Sequence, residues 1–98
     1  MASFARGARC ENLGSGNSWQ RFRPVLATLA PGAESGDGYL DRQGEDFLFV
    51  LRGTLHVEAD GASLHLSEGD ALYLGIGTPY RWRNGPEGET LLLLVSSP

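Results

Sequence analysis

Apolar and polar residues alternate with a period of two along most of this chain, in short runs broken by Gly, Pro, Asn and Asp. That is the pattern of half-buried β-strands joined by turns. The sharpest instance is Leu55-His56-Val57-Glu58-Ala59, then Asp60-Gly61, then Ala62-Ser63-Leu64-His65-Leu66. Asp-Gly between alternating segments predicts a hairpin with a two-residue loop. Ala59 then pairs with Ala62, Val57 with Leu64, His56 with His65 and Leu55 with Leu66. Leu55, Val57, Leu64 and Leu66 share one face, and His56, Glu58, Ser63 and His65 the other.

Other runs follow the same logic. Phe47-Leu48-Phe49-Val50-Leu51 is too short for a helix and is flanked by Gly44 and Gly53, which predicts a buried strand. Leu91-Leu92-Leu93-Leu94-Val95 predicts a strand buried on both faces and is far too short to span a membrane. Further strands are expected at residues 71–74 and 80–84. Residues 19–29 also read as a strand, with Pro24 marking an edge or a bulge, and an early strand is expected near residues 8–13. Turns are expected at residues 31–38, 67–70, 75–79 and 85–89. No helix longer than a turn, no repeat and no linker is legible. Strands recurring roughly every 8–12 residues indicate an all-β fold, a small antiparallel β-barrel or jelly roll. Residues 1–18 read as a partly ordered N-terminal arm and residues 19–98 as a single barrel domain.

Composition narrows the function more than the fold. At 98 residues there is room for one hydrophobic core. A hydrophobic share of 41% and a charged share of 20% are ordinary for a globular chain. The net charge of −4 argues against nucleic acid being bound by this chain alone. Cys10 is the single cysteine, so no internal disulfide and no Cys-based metal motif is available. Arg6 and Arg9 are followed by no apolar run, so no secretory signal is read at the start, and a cytoplasmic location is expected. Ser63, Ser96 and Ser97 have no recognisable His–Asp partners, and the glycines form no phosphate-binding loop.

Two longer patterns carry a resemblance. Gly69, Gly75, Gly77, Tyr80 and Asn84 fall at the spacing of G(X)5PXG(X)2H(X)3N, with Gly75 at the Pro position and Tyr80 at the His position. Counting back from Gly53, Asp46 takes the Glu position of G(X)5HXH(X)3-4E(X)6G, and Arg42 and Leu40 take its two His positions. The opening Gly of that motif is replaced by Glu34, with Gly32 two residues earlier. These are the two motifs of the cupin superfamily, and the chain resembles a cupin from Trp19 to Val95. Pro31-Gly32-Ala33-Glu34-Ser35-Gly36, Gly44-Glu45-Asp46-Phe47, Val50-Leu51-Arg52-Gly53 and Gly69-Asp70-Ala71-Leu72-Tyr73 look most similar to the C-terminal sensor domains of helix-turn-helix regulators of the xenobiotic-response-element type. The resemblance implies a cupin jelly roll (double-stranded β-helix).

The substitutions at the ligand positions change the expected chemistry. A cupin metal needs imidazoles and a carboxylate converging on one ion. Leu40, Arg42, Asp46 and Tyr80 supply one carboxylate, one phenol and a permanent cation that repels a divalent ion. No metal and no other cofactor is therefore expected. By strand parity Leu40, Arg42 and Asp46 point into the barrel from one side, and Tyr80 and Trp82 from the other. Two readings of this set stand: a pocket for a small polar or carboxylate-bearing ligand, or an internal Arg42–Asp46 ion pair filling the space of the metal. Arg81 and Arg83 face outward as a solvated surface. His56 and His65 are read as solvated or at a subunit interface, and Trp19, Phe22, Phe47 and Phe49 as core or subunit packing. Phe47 and Phe49 fall on the outer face of a strand whose inner face is also apolar, which leads us to expect a homodimer.

The expected function is that of a binding module, a metal-independent cupin domain sensing a small molecule for a transcriptional regulator or by itself, with no membrane partner. The alternative is a small cupin enzyme, an isomerase, epimerase or lyase, with Tyr80 or Asp46 as acid or base.

Overall fold

A computed structural model describes residues 6–14, 21–40 and 43–98. The described residues contain eight strands and no helix: β1 (Arg6–Asn12), β2 (Arg23–Glu34), β3 (Asp46–Arg52), β4 (Leu55–Ala59), β5 (Ala62–Leu66), β6 (Ala71–Leu74), β7 (Tyr80–Arg83) and β8 (Thr90–Ser96). All pairings are antiparallel, in the order β5-β4-β7-β2-β8-β3-β6, with β1 added to β2. The result is a nearly closed jelly-roll barrel, the all-β fold expected from the sequence.

The β4–β5 hairpin has the predicted register at every pair, including His56 opposite His65. Its loop places both Asp60 (φ 52°) and Gly61 (φ 78°) in the left-handed region. A type I′ turn requires that geometry, and Asp and Gly tolerate it.

The long strand β2 corrects one expectation. Pro31-Gly32-Ala33-Glu34 was expected to be a turn, yet β2 runs through it. The strand changes partners there. Residues Arg23 to Leu29 pair with β8, whereas Glu34 pairs with Arg83 of β7. Gly32 (φ 78°) makes the corner, and its N–H bonds to the Gly85 carbonyl at 3.1 Å. Turn residues here bend a strand from one sheet to the other without ending it. Pro24 lies one residue inside the start of β2, where its missing N–H costs least.

The inner faces fill the barrel. Val50, Leu92 and Ala27 stand side by side on β3, β8 and β2, each with no exposed surface. Leu48, Leu94 and Val25 form the next row. From the facing sheet come Leu55, Val57, Trp82 and Tyr80, all buried. Each buried Leu contributes about 1.5–3 kcal/mol. β8 has Leu92 and Leu94 buried inside and Leu91, Leu93 and Val95 half-buried outside, so both its faces are largely covered as expected. Phe22 is not core: it is 62% exposed. Trp19 lies outside the described residues.

The ends of the two sequence motifs meet at one threonine. Thr90 is 1% exposed, and its hydroxyl bonds to Asn84 Oδ1 at 2.9 Å and to the Thr54 carbonyl. Asn84 Nδ2 bonds to the carbonyls of Leu29, Ala30 and Gly88 at 3.2, 3.0 and 2.8 Å. Gly53 (φ 89°) packs so closely that an added Cβ would lie 2.7 Å from Thr90 Oγ1. Gly53 and Asn84 therefore hold the fold together and stand away from the ligand positions.

Candidate functional site

Asp46 begins β3 on its inner face, between Leu74 of β6 and Ser96 of β8. Tyr80 begins β7 on the opposite sheet, paired with Ala59 of β4 on one side. On its other side Tyr80 forms an isolated bridge with Leu40, through N–H to carbonyl bonds of 2.6 and 3.2 Å. The Tyr80 hydroxyl crosses the barrel and donates to Asp46 Oδ2 at 2.6 Å. Both residues are 2% exposed. A short hydrogen bond from a phenol to a buried carboxylate is the strong kind, worth about 1.5–3 kcal/mol.

Trp82, two residues along β7, lies on the same inner face and is 3% exposed. Its strand is fixed by Ser35, whose hydroxyl accepts from the Trp82 N–H at 3.0 Å. Leu40 is half-buried and packs against the core. The structure therefore gathers Leu40, Asp46 and Tyr80 at one end of the barrel, with Trp82 beside them. Arg42, the fifth residue expected there, lies outside the described residues.

The donor set does not fit a cupin metal. Among the described residues no three His, Cys, Asp or Glu side chains converge. Both imidazoles sit on the outer face of β4 and β5, and the Asp46 carboxyl accepts a hydrogen bond from the Tyr80 hydroxyl. The arrangement joins a phenol, a carboxylate and an indole among apolar core side chains, with the phenol's proton directed at the carboxylate. That chemistry suits recognition of a polar group by hydrogen bonds.

A second feature was not legible in the sequence. On the outer face of β5, β4, β7 and β2, the residues His65, His56, Arg83 and Glu34 stand side by side by register. The neighbouring row brings Ser63, Glu58 and Arg81 together. Arg81 Nε donates to Glu58 Oε1 at 2.5 Å, its Nη1 to the Asp37 carbonyl at 3.1 Å, and its guanidinium lies 4.8 Å from the centre of the Tyr39 ring. The hydrogen bond from Arg81, helped by its charge and by those of His56 and Arg83, holds the Glu58 carboxyl below the ordinary carboxylate range. The same bond raises Arg81 above the usual guanidinium value. Glu34, His56, Glu58, Arg81 and Arg83, with Gly36, Asp37 and Trp82, line a half-open groove of about 250 Å³. Arg81 and Arg83 do face outward, as parity required. The groove itself depends on β2 switching sheets, which no local pattern announces.

Comparison with known proteins agrees with this architecture. A family model described as "Cupin domain" matches residues 25–96. A sugar phosphate isomerase of the cupin superfamily from Silicibacter pomeroyi is 22% identical, with a TM-score of 0.81 over 99% of this chain and 62% of that one. The polyketide cyclase RemF from Streptomyces resistomycificus is 18% identical, with a TM-score of 0.81 over 96% of this chain and 67% of that one. The Cupin_2 domain of an XRE family transcriptional regulator from Enterobacter cloacae is 18% identical, with a TM-score of 0.80 over 95% of this chain and 98% of that domain. The chain thus spans less than two thirds of the isomerase's length, and at these identities the likeness is one of fold. No curated protein sequence matches the chain.

Proposed function

The chain belongs to the cupin family, and on that premise we propose that it is a metal-independent binding domain for a small polar ligand, serving as the effector-binding unit of a transcriptional regulator. The observation that carries this reading is the buried Tyr80–Asp46 hydrogen bond. It occupies the positions at which the family's motifs place metal ligands, and it brings a phenol and a carboxylate together inside the barrel. The ligand approaches this pair past Leu40, the least buried member of the group, with Trp82 as the aromatic wall. Arg42, where the first motif has a histidine, is assigned the role of anchor for a ligand carboxylate. Assignment to a regulator is supported by the likeness in fold to the regulator's cupin domain, at a TM-score of 0.80.

Tryptophan fluorescence tests this reading, because Trp82 is one of two tryptophans in the chain. A metabolite bound beside the Tyr80–Asp46 pair should perturb the emission of the wild type and leave that of Trp82→Phe unchanged. It should also lose most of its effect in Tyr80→Phe, which a ligand in the outer groove, also lined by Trp82, would not. Perturbation that survives in Trp82→Phe places the ligand elsewhere and contradicts the assignment.

An enzymatic reading rests on the same hydrogen bond, since a phenol paired with a carboxylate is a proton donor beside an acceptor. It predicts turnover of a bound metabolite that is lost in Tyr80→Phe while binding persists.

A further inference from the structure

We propose that the outer-face groove is a second ligand site, separate from the barrel chamber, and that it takes a small zwitterion of the amino-acid type. The ligand carboxylate sits on Arg83 and Arg81, and its ammonium sits between Glu34 and Asp37. Four observations lead there.

Arg83 and Glu34 are register partners on β7 and β2, yet among the described residues neither is in an ion pair within 4.0 Å. Two opposite charges that share a groove without closing on each other leave both available. Arg81 is held at three points, by Glu58, by the Asp37 carbonyl and by the Tyr39 ring. Those contacts leave its Nη2 group for a ligand and fix the guanidinium in advance, which lowers the entropy lost on binding.

The groove is kept open at Gly36. That residue lines the groove with φ 116°, a conformation that favours glycine, and adds no side chain to it. The volume of about 250 Å³ lies below the range usual for drug-sized ligands and suits a metabolite of a few heavy atoms.

Charge then selects the class. Glu34, Asp37 and Glu58 oppose Arg81 and Arg83, with the His56 imidazole beside Arg83. A plain anion on Arg83 meets the Glu34 carboxylate, and a plain cation near Glu34 meets Arg83. A molecule carrying both charges satisfies both rows, and its opposite signs match the alternation along the groove floor. The site is exposed to water, so its ion pairs are screened and its affinity is modest.

NMR titration of the full chain with individual free L-amino acids at millimolar concentration reads such binding residue by residue. The N-acetyl and carboxamide derivatives of each hit serve as controls. At least one free amino acid should shift the amides of Gly36, Asp37, Arg81 and Arg83 and leave those of Leu40 and Tyr80 in place. Blocking either charge should weaken binding about tenfold, as should Arg83→Met and Glu34→Gln. The proposal is overturned if no free amino acid shifts these amides, or if a blocked derivative binds equally well, which would mean plain ion binding. Shifts confined to Leu40 and Tyr80 would also overturn it, while leaving the barrel-chamber reading intact.

Discussion

The Tyr80 hydroxyl donates to Asp46 Oδ2 at 2.6 Å across 34 residues of sequence, joining the first residue of β7 to the first residue of β3 through the barrel interior. The bond ties the two facing sheets together inside the barrel. Tyr80→Phe keeps the ring in place and removes one hydrogen bond to a carboxylate. Urea denaturation should show a loss of about 1.5–3 kcal/mol. A variant as stable as the wild type would mean that the bond contributes nothing to holding the sheets.

Asn84 gives a harsher test of the other end. Its side-chain amide is bonded to three backbone carbonyls and to Thr90, all in the interior or at its margin. Asn84→Ala strips the three carbonyls of their donor and the Thr90 hydroxyl of an acceptor together, and a loss of about 2–4 kcal/mol is expected in the same assay. A loss below about 1 kcal/mol would show that water replaces the amide without strain.

The outer groove supplies the pH dependence. Arg81 holds the Glu58 carboxyl below its ordinary range in the folded state. A depressed folded value means that the pair's contribution is present above the unfolded carboxylate pKa and is lost as pH falls through the folded value. Carboxyl NMR titration should find Glu58 protonating below the ordinary carboxylate range, and Arg81→Met should raise it toward that range. A Glu58 that titrates alike in the wild type and in Arg81→Met would contradict the pairing.

Self-association is expected through the opposite face. Phe47 (37% exposed) pairs across strands with Tyr73 (61% exposed), and half-buried Phe49, Leu93 and Val95 continue the same surface. Such a contiguous apolar sheet face on a small barrel calls for a cover, here proposed to be a second copy. Light scattering at micromolar concentration should give twice the chain mass, falling to one chain mass in Phe47→Asp. A wild-type monomer would refute the dimer.

Particular residues show what the sequence carries and what it does not. The register of the β4–β5 hairpin was legible because two residues, Asp60 and Gly61, set it locally. The facing of Asp46, Leu48 and Val50 inward and Phe47 outward was legible from period-two alternation on one short strand. The path of β2 was not, because Pro31 and Gly32 have turn chemistry while the partners that keep them in a strand are remote. Glu34 meets Arg83 and Ser35 meets Trp82, each nearly 50 residues away. The same distance hid the groove: parity placed Arg81 and Arg83 on the outer face, but only the order β4-β7-β2 brings Glu58 and Glu34 to either side of them. At the barrel end, motif spacing alone brought Asp46 and Tyr80 to notice. Their hydrogen bond joins two strands that are not neighbours in any sheet.

Metal-independent binding in the barrel chamber is tested most directly by a thermal-shift screen of metabolites run in excess chelator. A ligand at a hundred times its dissociation constant stabilises the fold by about 2.7 kcal/mol. For a domain of this size that raises the melting midpoint by on the order of 10 °C. At least one small polar metabolite should give such a shift with chelator present, and the shift should vanish in Arg42→Met and shrink in Tyr80→Phe. A shift that appears only after iron, manganese or zinc is restored, or none across a broad screen, would contradict the account.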